Sequence, residues 1–199
     1  MKLIIMTKST FFVEEDKILT ALFEEGLDNL HLYKPGAAPM YSERLLTLLP
    51  DECYDHITVH EHFYLKEEYG LKGIHIDDAT TPAPDKYKGR LCRTVCLDDN
   101  IKDAKKKCDY VFLKNTFDSF DGGRALTMDE LEFASDKGMI DKKTYALGGV
   151  NIDNVKIAKD LGFGGVVIGD DLWDRFDIHH QLDYKELIAH FERLMKTIG

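Results

Sequence analysis

Thr144-Tyr-Ala-Leu-Gly-Gly-Val-Asn-Ile-Asp-Asn-Val155 carries an apolar strand pattern straight into two glycines, then opens a helical pattern that continues to Leu161. Glycines at a strand's end let backbone N–H groups come close to a ligand, where a Cβ would stand in the way. The following helix aims its unpaired N–H groups and its positive dipole end at the same place, which suits a phosphate. Gly164-Gly-Val-Val-Ile-Gly-Asp-Asp-Leu-Trp173 repeats the arrangement about twenty residues on. Two successive strand–glycine–helix units near the C-terminus match the phosphate cradle that a (β/α)8 barrel builds after its seventh and eighth strands. Gly148, Gly149, Ile168 and Gly169 are then the expected phosphate-binding positions, and ordinary βα turns are the alternative.

Working outward, strand-like runs start near Lys2, Asn29, Ile57, Gly73, Arg90, Tyr110, Lys143 and Gly164, with helical patterns between most of them. Phe12 to Glu25 places Ile18, Leu19, Leu22 and Phe23 on one face; Ser42 to Leu49 reads as a helix capped by Ser42. Phe63 to Tyr69 is a short helix closed by Gly70, and Asn100 to Lys107 is basic at its C-terminal end, as the dipole favours. Thr127 and Glu130 have capping-box spacing, and Asp183 to Ile198 is a long closing helix. Ala79 to Gly89 is turn-rich and leaves room for one helical turn at most. Eight strands alternating with helices, without a break in composition, predict an α/β fold: a compact (β/α)8 TIM barrel forming a single domain over residues 1–199. A doubly wound open sheet, which uses fewer strands, is the alternative.

The 199 residues can bury a core without staples, and 44% hydrophobic with 31% charged content describes an ordinary globular chain. A net charge of −10 argues against a nucleic-acid surface and obliges any anionic ligand to find a local positive site. The four cysteines form no CxxC pair and read as free thiols in a reducing compartment. No run is long enough to span a bilayer and the N-terminus has no signal-peptide pattern, so a cytoplasmic location is expected.

In a barrel, chemistry belongs at the C-terminal ends of the strands. Those positions hold Tyr33 and Lys34, His60-Glu61-His62, His75 with Asp77 and Asp78, Arg93, and Lys114-Asn115. Lys34 and Lys114, at matching strand ends near the expected cradle, suggest anion contact, with solvated surface lysines as the alternative. His31 and His75 read equally well as inward-facing structural histidines. His60 and His62, at i and i+2, share a strand face, and with Glu61 they form a weak zinc or iron pattern lacking a third ligand. Asp77 and Asp78 either cap a turn or supply hard oxygen ligands for Mg²⁺ beside phosphates.

The order of these landmarks resembles the thiamine-phosphate synthase and thiazole tautomerase superfamily, compact (β/α)8 barrels acting on phosphorylated thiamine precursors. Leu30-His-Leu-Tyr-Lys34 stands at its hydrophobic strand ending in Arg and Lys, and Gly73-Ile-His-Ile76 at its Gly-Val-His-Leu strand. Cys108-Asp-Tyr-Val111 and Phe117 occupy its next landmarks; Ala146 to Val155 agrees most closely, followed by Gly162 to Ile168 and Leu172-Trp173. The resemblance implies a transferase joining an aminopyrimidine methyl diphosphate to a thiazole phosphate with loss of diphosphate. It implies Lys34, Arg93 and Lys114 as catalytic cations, and Tyr33, His60 and His75 as substrate-binding residues. Glu61, Asp77 and Asp78 would be ligands of a Mg²⁺ cofactor, and Gly148, Gly149 and Gly169 amide donors to the thiazole phosphate. The expected partners are phosphorylated small molecules, with a homo-oligomer compatible and neither nucleic acid nor membrane involved. Tyr33 stands where that family places a diphosphate-binding arginine, and the histidine that tautomerases use on strand 5 is missing. A metal-independent thiazole tautomerase, or a non-catalytic barrel binding a phosphorylated ligand, are the alternatives.

Overall fold

The computed structural model describes residues 1–177, 180 and 183–199. Eight parallel strands close into a barrel in the order β1 to β8: Lys2–Met6, Leu30–Leu32, Ile57–Val59, Gly73–Ile76, Arg90–Val95, Tyr110–Leu113, Thr144–Ala146 and Gly165–Ile168. β1 pairs with both β2 and β8, so no sheet edge remains open. The crossovers carry α1 (Glu15–Glu24), α2 (Pro39–Leu48), α3 (Tyr64–Tyr69), α4 (Ile101–Lys107), α5 (Met128–Asp136) and α6 (Val155–Asp160). After β8 come the one-turn helix α7 (Asp170–Trp173) and the closing helix α8 (Lys185–Ile198). Between β4 and β5 there is no helix among the described residues, as the turn-rich composition of that segment predicts.

Alternation along the strands sorts side chains into two compartments. Outward residues such as Leu3, Ile5, Leu30, Val111 and Ile168 join α1, α5, α6 and α8 in one large apolar shell. Inward residues form a second cluster of Ile4, Met6, Cys92, Tyr110, Phe112, Tyr145, Leu147 and Val167. By the same parity His31, Thr58, His60 and His75 point into the barrel, and all four are buried. Trp173, 1% exposed, ties the closing turn to β1 through an indole N–H donated to Met6 O at 2.7 Å.

Two local expectations change, at α2 and α8. α2 starts at Pro39, whose fixed φ suits the first helical position, so Ser42 lies inside the helix and caps nothing. α7 takes Gly169 as its N-cap with no side-chain cap, and Asp171 turns instead to His190 Nε2 at 2.7 Å and to Arg175. α8 begins at Lys185, two residues later than the pattern suggested. The capping box at Thr127 and Glu130 forms as the spacing predicts.

Candidate functional site

A cavity of about 660 Å³ opens at the C-terminal mouth of the barrel. Its floor is apolar (Met6, Leu147, Val167), with Tyr33 and Phe120 facing each other across one side at 5.8 Å between ring centroids. Its opposite wall is backbone: the turn Gly148 to Asn151 after β7, and Gly169 after β8.

The two glycines of that turn are required by a neighbouring loop as much as by any ligand. Both have positive φ, 101° and 66°. A Cβ on Gly148 would stand 2.5 Å from Asp118 O, and one on Gly149 would strike Asp118 Cβ. Phe117 and Asp118 in turn donate backbone N–H groups to Gly148 O at 3.0 and 3.2 Å. Asn154 Nδ2 and Oδ1 close the far side on Gly149 O and Asn151 N. The turn is therefore held rigid from both sides, which suits a preorganised set of amide donors. Ile168, expected beside it, sends its side chain outward into the helical shell, while its neighbours Val167 and Gly169 line the cavity.

The expected cations are engaged elsewhere. Tyr33 is the inward residue after β2, so Lys34 faces outward; its side chain is fully buried, with Nζ 2.6 Å from Glu15 Oε1 and 3.0 Å from Thr10 O. Burial lowers the Lys34 pKa and raises that of Glu15, each opposed by the partner's charge. Lys114 pairs with Asp121 Oδ2, and Arg93 lies outward on β5, donating to Asp78 O at 2.8 Å. None of the three lines the cavity. Lys8, two residues beyond β1 and inward by the parity of Ile4 and Met6, does line it. Nothing local in the sequence marks Lys8, which follows the first strand without a glycine or a recognisable motif; its i, i+2 spacing from Met6 is the available signal.

Beneath Tyr33 runs a polar column along the barrel interior. His60 Nδ1 lies 2.7 Å from Asp77 Oδ1, and His60 Nε2 lies 2.8 Å from His31 Nδ1. His31 Nε2 lies 2.8 Å from the Tyr110 hydroxyl, which accepts from Asn29 Nδ2 at 3.0 Å; Asn29 Oδ1 accepts from Arg90 at 3.0 Å. Asp77 as a carboxylate can only accept, so the column has one consistent direction: Arg90 donates to Asn29, and so on up to Asp77. That assigns the Nδ1–H tautomer to both His31 and His60. Burial pushes His31 and His75 far below the ordinary histidine range and Tyr110 far above the ordinary tyrosine range, so these groups stay neutral. His75 stacks on His60 at 4.2 Å and bonds Thr94 Oγ1 at 2.8 Å, leaving its buried Nδ1 without a partner among the described residues. His62 does not share His60's face: β3 ends at Val59, and at φ 54° His62 turns away to Ala37 O.

These donors do not match a magnesium site, which wants oxygen ligands in octahedral array. Asp78 spends its carboxylate closing a turn on the N–H groups of Thr80 and Thr81. Glu61 accepts the Lys34 N–H, and burial raises its pKa. Asp77 sits among imidazole nitrogens. The nitrogen-rich groups His60–His75–Asp77 and His31–His75–Cys92 each bring ligand atoms within 4.8 Å of one another. Yet the His60 and His75 rings lie only 17° from parallel, so their in-plane lone pairs run side by side and cannot converge on one ion at about 2 Å. Burial also raises the Cys92 thiol pKa, so a thiolate there forms only at a desolvation cost.

No protein-family model matches this sequence, and no curated protein matches it. Among solved structures, the barrel is similar to thiamine phosphate pyrophosphorylase from Bacteroides thetaiotaomicron: 47% identity over 99% of this chain and 97% of that one, with a TM-score of 0.88. Thiamine phosphate pyrophosphorylase from Pyrococcus furiosus superposes with a TM-score of 0.74 at 18% identity, covering 99% of this chain and 95% of that one. 3-Hexulose-6-phosphate synthase from Salmonella typhimurium gives 0.66 at 14% identity, over 100% and 98% of the two chains. The last two share the fold.

Proposed function

The chain belongs to the thiamine phosphate pyrophosphorylase family, and on that premise we propose that it is a transferase joining an aminopyrimidine methyl diphosphate to a thiazole phosphate with loss of diphosphate. The observation that carries this reading is the mouth cavity, which combines a clamped amide turn with an aromatic, acid-lined wall. The amides of the Gly148–Val150 turn and of Gly169 are the donors for the thiazole phosphate. On the pyrimidine, the bond from the methylene carbon to the diphosphate oxygen breaks and its electron pair leaves with the diphosphate. The carbocation that remains is captured by the lone pair of the thiazole nitrogen.

Positive charge on that methylene is stabilised where ring faces and carboxylates surround it. Tyr33, Phe120, Asp118 and Asp170 line the cavity in that sense. Burial raises the Tyr33 pKa, with the nearby carboxylates adding to the effect, so its phenol stays neutral and presents an uncharged ring. Such contacts strengthen as charge develops, which is where binding energy accelerates a reaction. A cytoplasmic site of action accords with four unpaired cysteines. Purified chain given both phosphorylated precursors, with and without Mg²⁺, is expected to form thiamine phosphate; no product at micromolar enzyme would overturn the reading.

A second reading, isomerisation of a thiazole phosphate by proton transfer, draws on the His60–Asp77 hydrogen bond at the mouth of the column. Deuterium uptake from solvent into a thiazole phosphate, with no pyrimidine present, would favour it.

A further inference from the structure

The mouth cavity is short of positive charge. Among the described residues that line it, Lys8 is the one cation, set against Asp118, Asp170 and Asp171. Lys34, Lys114 and Arg93 are bonded to Glu15, Asp121 and Asp78 O. Lys8 is half-buried and forms no ion pair among the described residues. Strand register explains its position: Met6 pairs with His31, so two residues on Lys8 comes level with Tyr33, both on the inward face. The β1 end is fastened to the β2 end there, since Thr7 Oγ1 donates to Tyr33 O and accepts from Tyr33 N, both at 3.0 Å. Asp171 is paired with Arg175 and hydrogen-bonded to His190, so the repulsion an anion meets comes mainly from Asp118 and the exposed Asp170.

We propose that Lys8 is the anion-binding cation of this cavity, meeting the phosphoryl oxygens of the ligand from β1 while the Gly148–Val150 amides meet them from β7. The inference rests on the reading that the cavity takes a phosphorylated ligand, and it names a residue that neither the comparisons nor the motifs single out. Lys8 also borders a smaller neighbouring cavity with Asp174 and Asp177. With a net charge of −10 on the chain and three carboxylates on the wall, losing the one cation among the described lining residues leaves only neutral donors, backbone amides and hydroxyls, to hold an anion.

The test uses the full chain and two probes, inorganic phosphate and inorganic diphosphate, titrated calorimetrically at low ionic strength without added metal. Lys8→Gln is expected to weaken binding roughly tenfold or more, and Lys8→Arg to retain it. Lys106→Gln, an exposed lysine on α4, makes the same change in net charge and should bind as wild type. Tyr33→Arg in the Lys8→Gln background should restore part of the loss, because position 33 faces the same space from the next strand. Wild-type binding unchanged in Lys8→Gln, an equal loss in Lys106→Gln, or no wild-type binding of either anion at millimolar concentration would each overturn the proposal. Thiamine phosphate formation is scored separately. Product formed equally by wild type and Lys8→Gln removes Lys8 and leaves the transferase; Lys8-dependent anion binding without product removes the transferase and leaves the anion site.

Discussion

Gly149 shows how one residue serves fold and site together. At φ 66° it takes a left-handed conformation that L side chains rarely adopt, and the space a Cβ would need is filled by Asp118. Gly149→Ala should therefore lower stability by about 2–4 kcal/mol, from backbone strain plus displacement of the loop after β6. Urea unfolding reads the loss, and an unchanged midpoint would show that the loop does not clamp the turn. Lys34 teaches the opposite lesson. Its strand-end position looks functional in the sequence, but one step of strand parity sends it outward onto Glu15, where both side chains are essentially buried. Lys34→Met alone should cost about 3–5 kcal/mol by stranding the Glu15 carboxylate, whereas Glu15→Leu with Lys34→Met should come within about 1 kcal/mol of wild type. A double variant as unstable as the single one would mean that the pair contributes through its geometry and not merely by mutual neutralisation. Thermal denaturation of the three proteins decides between these.

Among the elements, the segment after β6 departs furthest from what periodicity could anticipate. It is organised by Asn115, at φ 57°, whose Oδ1 accepts the Phe120 N–H at 2.7 Å and whose Nδ2 donates to Asp121 at 3.0 Å. Asp121 also receives Lys114 and the Gly123 N–H. The Lys114 hydrogen bond, followed by that of Asn115, holds the Asp121 carboxyl down at about 2, against an ordinary 3.8. A carboxylate depressed on folding adds stability that is present above 3.8 and disappears as pH falls through about 2. Between pH 4 and 2 the loop that carries Phe120 and Asp118 into the cavity should loosen, seen as faster amide exchange at Phe120 and Gly123. Asp121→Asn should flatten that dependence; the same acid-induced loosening in the variant would assign it to another group. The strands and most helices were legible because apolar alternation and capping residues are local signals: the Thr127 box and the Gly70 stop fall where the spacing puts them. Asn115's role was not legible, because it depends on partners brought round by a folded loop.

Over the whole molecule, closure is the controlling fact. β8 returns to β1 in register from Lys2–Gly165 to Ile5–Ile168, and Trp173 fastens the last turn to Met6 O. A barrel closed in this way has no strand that can leave singly without exposing its neighbours. Unfolding followed by Trp173 fluorescence and by far-ultraviolet circular dichroism should trace one coincident transition, and two separated midpoints would show that the β8–β1 seam opens first. The chain's own order of residues determined the eight strands, the glycine turns after the last two of them, and the family likeness, since each is written in spacing along the backbone. Which polar side chains meet was decided by the tertiary structure alone. Strand parity and register turned Lys34, Arg93 and Ile168 away from the mouth, brought Lys8 level with Tyr33, and lined up His31, His60 and Tyr110 inside the barrel. The physical reason is that a strand's side chains alternate every residue, so a single position decides between cavity and core, and closing the barrel brings together residues such as Met6 and Trp173, 167 positions apart.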